Sequence, residues 1–256
     1  MRLDEFPTQF EKLPGAMPIW HGTVDAAQFR SLCEQVAQGG GKLVALWGSD
    51  ELARDAGFAL HASLVTALGM LCLTLPVNAD RPSFPDISDL FPAANRMQRA
   101  AADLLGLHAK GSDDQRKWLR HGSWPRDVHP LRKNFDGSTV FPTETDAYRF
   151  VTVSGDGVHE IPVGPVHAGT IEPGHFRFSI IGERVLRLEE RLGYKHKGIE
   201  KRFESMNLEQ GAKLAGRISG DSTVAYAWAY AQAVESVTGT TPPPRAAALR
   251  AVLLEL

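Results

Sequence analysis

Residues 58–77, FALHASLVTALGMLCLTLPV, form the most apolar run of the chain and decide its fold. A membrane-spanning helix needs about 20 predominantly apolar residues, but this run contains His61, Ser63, Thr66 and Gly69 and has no flanking basic anchors. Apolar runs of about 4 to 8 residues are typical of buried strands. The run therefore predicts two core strands joined by a turn near Gly69, and we do not expect the chain to span a membrane by itself.

The flanking segments predict helices and a further strand around this pair. Residues 25–38 carry apolar side chains at helical spacing and run into three glycines, which end helices. Residues 42–49, KLVALWGS, have the composition of a strand. A second helix is predicted from about Pro92 to Leu105, with the proline in its first turn and Gly106 at its end.

The composition is that of a soluble globular protein, with 43% apolar and 23% charged residues in 256. This length allows one large domain or two ordinary ones. A net charge of −2 gives no electrostatic attraction to nucleic acid, so we expect no nucleic-acid partner. Cys33 and Cys72 have no metal-ligand spacing and fit a reducing compartment.

The pattern changes after a polar segment at residues 108–146, which we expect to be an extended connector. Gly-containing turns then separate four β-favouring segments: YRFVTV at 148–153, HEIPVG at 159–164, HFRFSIIG at 175–182 and RVLRLEERLGY at 184–194. Beyond Lys197 the sequence is helical, with helices over about 223–238 and from the prolines at 242–244 onwards. The last helix ends on AVLLEL without a stop signal, so we expect further chain or a partner to cover its apolar face.

These patterns predict an α+β protein with two domains. Residues 1–140 would form a mixed α/β module. Residues 141–256 would form a small antiparallel β region that leads into an incomplete helical bundle.

One loop concentrates residues that carry chemistry: GPVHAGTIEPGHFRF, at 164–178. His167, Glu172 and His175 are residue types that bind metals, but their spacing is not diagnostic. A loop that binds a small polar ligand is the better interpretation, because loops on rigid strands often carry function. A metal hydrolase built on these three residues is the least favoured hypothesis.

Two further stretches have alternative interpretations. GYKHKGIEKRFE, at 193–204, is either an ion-paired helix surface, which the common exposure of charged residues favours, or the lining of a cavity. In GRISGDSTVAYAWAY, at 216–230, Asp221 and Ser222 are predicted to cap the following helix.

Together these motifs resemble a known family. PSFPDISDLFPAANRMQRAAADLLGL followed by WPRDVHPLRKNF resembles the signature region of the 30 kDa subunit of complex I, the NADH:quinone oxidoreductase. GPVHAGTIEPGHFRFSIIGERVLRLEERLGYKHKGIEK, AVE and PPPRAAALRAVLLEL resemble its 49 kDa subunit, which is homologous to the large subunit of [NiFe]-hydrogenases. The two in this order resemble the fused large subunit of group 4 hydrogenases, such as hydrogenase-3 and hydrogenase-4. The resemblance assigns residues 1–140 to a domain like the 30 kDa subunit and residues 141–256 to the N-terminal part of a domain like the 49 kDa subunit.

The resemblance implies that the nickel site is missing. In those hydrogenases the stretch matching 217–226 carries a Cys-x-x-Cys pair that holds nickel and iron, followed by a histidine. Here these positions are Ser219, Ser222 and Tyr226, and a hydroxyl is a poor substitute for a thiolate. The quinone-binding tyrosine of the 49 kDa subunit falls on Gly220. We therefore expect no metal and no cofactor bound by this chain.

The implied function is that of a subunit in a membrane-associated NADH:quinone oxidoreductase or hydrogenase-related electron-transfer complex. It would lie peripherally on the cytoplasmic face of the inner membrane, bound to an iron–sulfur small subunit and indirectly to membrane subunits. The chain alone would not be catalytic, and NADH would be oxidised on another subunit. Quinone or another acceptor would bind at the interface with the iron–sulfur subunit. The residues expected to hydrogen-bond it and supply protons are His167, Glu172, His175, Arg177, His196 and Lys197.

The alternative is a redox-inactive scaffold or assembly paralogue that docks an iron–sulfur subunit. The substitutions at the nickel and quinone positions favour it. Acidic and aromatic positions in the helix of the 30 kDa signature region have also become Gln98, Ala100 and Ala102, which preserves the helix but weakens a docking role.

Overall fold

The fold is described from a computed structural model, over residues 9–15, 17–122, 124–143, 145, 147–167, 169 and 172–256. The strands of this part are β1 Glu11–Leu13, β2 Ile19–Thr23, β3 Lys42–Asp50, β4 Phe58–Thr66, β5 Gly69–Val77, β6 Ser83–Pro85, β7 His108–Lys110, β8 Val158–Val166, β9 Gly174–Ile181 and β10 Arg184–Arg191. The helices are α1 Ala26–Gln38, α2 Ala94–Leu105, α3 Ile199–Phe203, α4 Leu208–Ala215, α5 Thr223–Thr238 and α6 Pro244–Glu255. The predicted α+β class is confirmed.

The apolar run at 58–77 forms the two central strands, as predicted. β4 and β5 pair antiparallel along their whole length, and Thr66 faces Gly69 across the turn. They lie inside a five-stranded sheet of order β1-β2-β5-β4-β3, in which only the β2–β5 pair is parallel. Leu60 of β4 and Leu73 of β5 are almost fully buried, because the two helices of the first half cover one face of this sheet.

The first helix, α1, has the predicted apolar face. Its Phe29, Leu32 and Val36 are buried in the main core. Asp25 and Gln28 form a reciprocal capping box, with each side chain accepting from the other's backbone N–H. The sequence prediction missed this signal although the Asp-x-x-Gln spacing is present.

The second helix starts two residues later than expected. Pro92 lies ahead of α2 and not in its first turn, because the chain from Ile87 to Ala94 makes a series of turns before the helix begins. The end is as predicted: Gly106 adopts φ +77° and a left-handed conformation.

The described residues between 108 and 146 are largely irregular, as expected for a connector, although β7 pairs with β6 at its start. The predicted strand at 148–153 is wrong. This segment pairs with no strand, and its alternating aromatic residues Tyr148 and Phe150 instead contact one another and the arginine side chains of β9 and β10. The other three β-favouring segments form the antiparallel sheet β8-β9-β10, and a tight turn at 182–183 joins β9 to β10.

The C-terminal helices follow the sequence prediction closely. α5 ends at Gly239 in a left-handed conformation, and α6 starts at Pro244. Neither helix buries a residue in the described part of the chain. In the same part, no helix is both long and apolar enough to cross a bilayer.

A row of polar side chains crosses all five strands of the main sheet. Ser49 lies 2.9 Å from His61, His61 lies 3.1 Å from Thr74, Thr74 lies 3.0 Å from His21, and His21 lies 3.0 Å from Glu11. A carboxylate only accepts, so His21 donates from Nδ1, and in the neutral imidazole Nε2 then accepts the Thr74 hydroxyl proton. His61 Nδ1 then donates to Thr74, and Ser49 donates to His61 Nε2. Every hydrogen bond of this row therefore points towards Glu11.

Thr74→Val tests the centre of the row. It leaves both imidazoles without their shared partner, and we expect a loss of about 1 to 3 kcal/mol in the free energy of unfolding. Urea denaturation measures this loss. The control is Thr23→Val: Thr23 pairs with Thr74 across the β2–β5 ladder but has no side-chain hydrogen bond in the described structure. An equal loss in both variants would contradict the role of the row.

His61 should make stability depend on pH. Burial lowers the pKa of its imidazole below the usual range. On acidification the unfolded chain therefore takes up this proton first, and the native state loses stability as the pH falls through the ordinary histidine range towards the lowered pKa. We expect His61→Gln to flatten the pH dependence of the urea midpoint between about pH 7.5 and 5.5, relative to wild type. An unchanged slope would contradict this assignment.

Candidate functional site

The irregular segment 116–120 connects the first half of the chain to the second sheet. Asp103 of α2, only 4% exposed, accepts hydrogen bonds at Oδ2 from the backbone N–H groups of Trp118, Leu119 and Arg120, at 2.7, 2.7 and 3.1 Å. A carboxylate satisfies several such donors at once. The segment is thereby fixed against α2.

Two buried arginines bind the carbonyl groups of the same segment from opposite sides. Arg99 of α2 donates to the carbonyls of residues 116 and 117, at 2.6 and 3.0 Å. Arg191 of β10, 3% exposed, donates to the carbonyls of residues 117, 118 and 120. We call Arg99, Asp103 and Arg191 together with residues 116–120 the clamp, because they attach β10 to α2.

Ion pairs extend the clamp onto the second sheet. Arg116 pairs with Glu189 of β10 and, at 2.7 Å, with Asp114. Burial opposes ionisation of Glu189, but the backbone N–H of Val151 and the Arg116 guanidinium outweigh it and lower the pKa of this carboxyl. The pKa of Asp114 is lowered in the same way, by Arg116 and Arg99 against the effect of burial.

His175 and Arg177 of β9 face the ring of Phe150. The imidazole centroid lies 5.2 Å from the ring centroid, and the guanidinium carbon lies 4.3 Å from it. Arg177 also pairs with Glu160 at 3.3 Å. Arginine over an aromatic face is favourable electrostatically, so Phe150 helps hold two of the predicted site residues side by side.

A backbone contact sets the tautomer of His175. Its Nδ1 lies 3.3 Å from the carbonyl oxygen of Gly164, so Nδ1 donates. A Cβ at position 164 would lie 2.5 Å from the carbonyl oxygen of Gly174, and φ there is +100°, so this position requires glycine. The Nε2 of His175 is buried and has no hydrogen-bond partner within the described residues. It therefore presents an unsatisfied acceptor.

Lys197 joins the predicted loop to the stretch before α5. Its ammonium donates to Glu172 at 2.7 Å and to the carbonyl oxygen of Ile218 at 2.9 Å. The three sequence motifs at 164–178, 193–204 and 216–230 thus meet at this contact. Lys197 also lines an open groove of about 310 Å³ with Arg202 and Arg217, so the segment 193–204 forms both ion pairs and a cavity wall.

The remaining site candidates lie outside these two clusters. His196 contacts Trp124 edge to face at 6.4 Å, and its Nδ1 accepts from the backbone of Gly198. His167 is exposed and makes no polar contact in the part of the chain described. Residues 168, 170 and 171 of the loop lie outside the described residues.

The predicted helix cap at 221–222 is wrong. Ser222 makes no capping hydrogen bond, and Asp221 instead accepts from the Ser219 hydroxyl at 2.5 Å. A short 3-10 turn at 220–222 leads into α5, and Thr223 donates to the carbonyls of residues 219 and 220. The backbone turn thus replaces the side-chain cap.

The serines do not fit a nickel–iron centre. Their neutral hydroxyls offer no soft anionic ligand, and the thiols of Cys33 and Cys72 belong to α1 and β5 of the other half. Among the residues described, no group of three or more His, Cys, Asp or Glu side chains is placed to hold a metal ion. The metal hydrolase hypothesis has no support there either.

Sequence reasoning missed the residues that build the site's framework. Gln98, which the resemblance marks as a lost acidic or aromatic position, is 2% exposed and bridges the backbone N–H of Ile87 and the Asp86 carboxylate. One feature of the sequence could have revealed the clamp: the charged residues Arg99 and Asp103 interrupt an otherwise alanine- and leucine-rich face of α2.

Residues 22–140 match the family described as respiratory-chain NADH dehydrogenase, 30 Kd subunit. This match confirms the predicted resemblance of the first part of the chain to the 30 kDa subunit.

Curated relatives extend the similarity beyond that domain. Formate hydrogenlyase subunit 5 of Escherichia coli (strain K12) is 33% identical over 225 residues, covering 85% of this chain and 40% of that protein. Hydrogenase-4 component G of the same organism is 34% identical, covering 84% of this chain and 40% of that protein. The NADH-quinone oxidoreductase C/D protein of Rhodopseudomonas palustris (strain BisA53) is 30% identical over 99% of this chain and 46% of that protein. The chain thus spans less than half the length of these relatives.

Asp103→Asn tests the clamp. The neutral amide accepts more weakly than the carboxylate, so we expect a loss of about 1 to 3 kcal/mol in unfolding free energy and faster hydrogen exchange at residues 118–120. Urea denaturation and exchange mass spectrometry measure these changes. The control, Asp127→Asn, removes the same charge from an exposed position of the connector. Unchanged exchange in Asp103→Asn would contradict the clamp.

Proposed function

We propose that this chain works as a subunit of a membrane-associated electron-transfer complex of the NADH:quinone oxidoreductase and hydrogenase type, without a nickel–iron site of its own. It would lie peripherally at the cytoplasmic face of the inner membrane. There it would dock an iron–sulfur small subunit and contact membrane subunits indirectly. Catalysis would belong to the complex and not to the isolated chain.

One observation carries this proposal: the alignment with a C/D protein of NADH-quinone oxidoreductase runs over 99% of the chain, through both the 30 Kd family domain and the β8–β10 sheet with its helices. A common origin of only the first domain would not produce it. The two-domain division at residue 140 is part of the proposal.

The acceptor would bind beside His175 and Arg177 on β9, with the Glu172–Lys197 pair at the neighbouring loop. The unsatisfied Nε2 of His175 would take up a proton and then, as imidazolium, donate it to the oxygen of a quinone that is being reduced. The cations Arg177 and Lys197 favour the negative charge that develops on a reduced quinone. His167 and His196 belong to this proposal only as outer residues, because neither contacts this group in the described structure.

A scaffold without redox chemistry is the second candidate. The helices α5 and α6 favour it, because they expose Tyr226, Leu249, Val252 and Leu253 and bury no residue among those described. Apolar helical surface of this kind packs against another polypeptide. In that case the chain would organise an iron–sulfur subunit without touching the acceptor.

Affinity purification of the tagged chain from its native membranes tests the proposal, with intact-mass determination and identification of bound proteins. We expect an iron–sulfur subunit and membrane subunits to co-purify. Recovery of the chain alone would overturn both the redox subunit and the scaffold.

Turnover of the purified complex distinguishes the redox subunit from the scaffold. We expect Glu172→Gln combined with His175→Asn to lower quinone reduction by about a hundredfold, the lower range for loss of a positioned proton-transfer group. The matched control is Glu209→Gln, which breaks another exposed lysine–glutamate pair, Lys213–Glu209 at 2.8 Å. Unchanged turnover with an intact complex would reject the acceptor site and favour the scaffold.

A further inference from the structure

A cavity of about 680 Å³ lies at the edge of the main sheet, away from β9. Its walls come from the end of β3, from α2, from the connector and from α3. This volume falls within the range of about 300 to 1,000 Å³ that small-molecule pockets occupy. The cavity is distinct from the proposed acceptor site, since it includes none of that site's residues.

Small side chains on α2 keep the cavity open. Ala100 and Ala101 contribute only methyl groups to its wall, and larger apolar residues, Met97, Leu104 and Leu131, surround them. Leu46 of the edge strand β3, which faces the core, forms a further wall. The inner surface can therefore accept an apolar or aromatic body.

The rim of the cavity is acidic. It carries Asp50, Glu51, Glu200 and Glu204 against the cations Arg54 and Lys133. Arg54 pairs with Glu51 at 3.0 Å, and Glu204 pairs with both Lys133 and Lys201 at 3.1 Å.

Two rim carboxylates have no cationic partner among the described residues. Asp50 accepts only from the backbone N–H groups of Leu52 and Lys133, at 2.9 and 2.8 Å. Glu200, on α3, is exposed at the rim and makes no ion pair or hydrogen bond there. A cation at the mouth would therefore meet uncompensated negative charge, while an anion would be repelled.

We propose that this cavity is a binding site for a small amphipathic cation, an aromatic or alkyl group that bears an ammonium or amidinium head. The apolar body would lie between Leu46 and the α2 alanines, with the head at Glu200. This inference is independent of the acceptor site. It stands even if the chain has no redox role.

Three matched probes test the charge and the body separately: 4-phenylbutylamine, 4-phenylbutan-1-ol and 4-phenylbutyrate. Binding to the full chain is measured by titration calorimetry. We expect the amine to bind about tenfold more tightly than the alcohol, which corresponds to one charge-assisted hydrogen bond, and the carboxylate to bind most weakly.

Two variants test whether the probes bind in this cavity. Ala100→Phe fills the space, and we expect it to weaken all three probes by at least about tenfold, the loss that a blocked apolar pocket produces. Glu200→Gln should lower the affinity for the amine to that for the alcohol, and the affinity for the alcohol should not change. Glu209→Gln, on the exposed face of α4, is the control and should change nothing. Circular dichroism checks that each variant folds.

The proposal is overturned if no probe binds, if the amine binds Ala100→Phe as it binds wild type, or if Glu200→Gln keeps the amine preference. The first of these outcomes has a specific cause if Ala100→Phe also loses a protein that co-purifies with wild type. The cavity would then hold a side chain of a neighbouring protein of the complex.

Discussion

The arrangement of this chain depends on one short irregular segment whose backbone is bound from both sides by buried charges. Residues 116–120 have no secondary structure to satisfy their peptide groups. The Asp103 carboxylate accepts their N–H groups, and Arg99 and Arg191 donate to their carbonyls. A buried charge is tolerated when it is hydrogen-bonded, and here the backbone itself supplies the partners. The attachment of β10 to α2 follows from it, and with it the location of the site next to β9.

The core of the first half could be predicted from the sequence because its signals are local. The apolar run at 58–77 carries its own turn at Gly69, and α1 has an apolar stripe followed by glycines. Both predictions hold because the side chains that decide them face one common core. The boundary error at Pro92 is of another kind: several successive turns precede α2, and a single proline does not reveal where they end.

The candidate site was harder to predict because it depends on contacts far apart in sequence. The segment 148–153 alternates like a strand. Its aromatic side chains, however, contact Arg177 and Arg191, which lie more than 25 residues away in the sequence. The motifs that contain Glu172, Lys197 and Ile218 were found separately, and only the fold reveals that one ammonium group joins them. The cap predicted at Asp221 does not form because its carboxylate accepts from the Ser219 hydroxyl instead.

The row of side chains across the main sheet gives that sheet an electrical polarity that its backbone lacks. Neighbouring strand dipoles largely cancel, so a sheet has little net dipole of its own. In this sheet every side-chain hydrogen bond from Ser49 to Glu11 points the same way, and each bond polarises the next. The positive end of the row emerges at β1, where the Glu11 carboxylate lies. The β1 edge thus resembles the first turn of a helix electrostatically, since both favour a negative charge at the end of aligned donors.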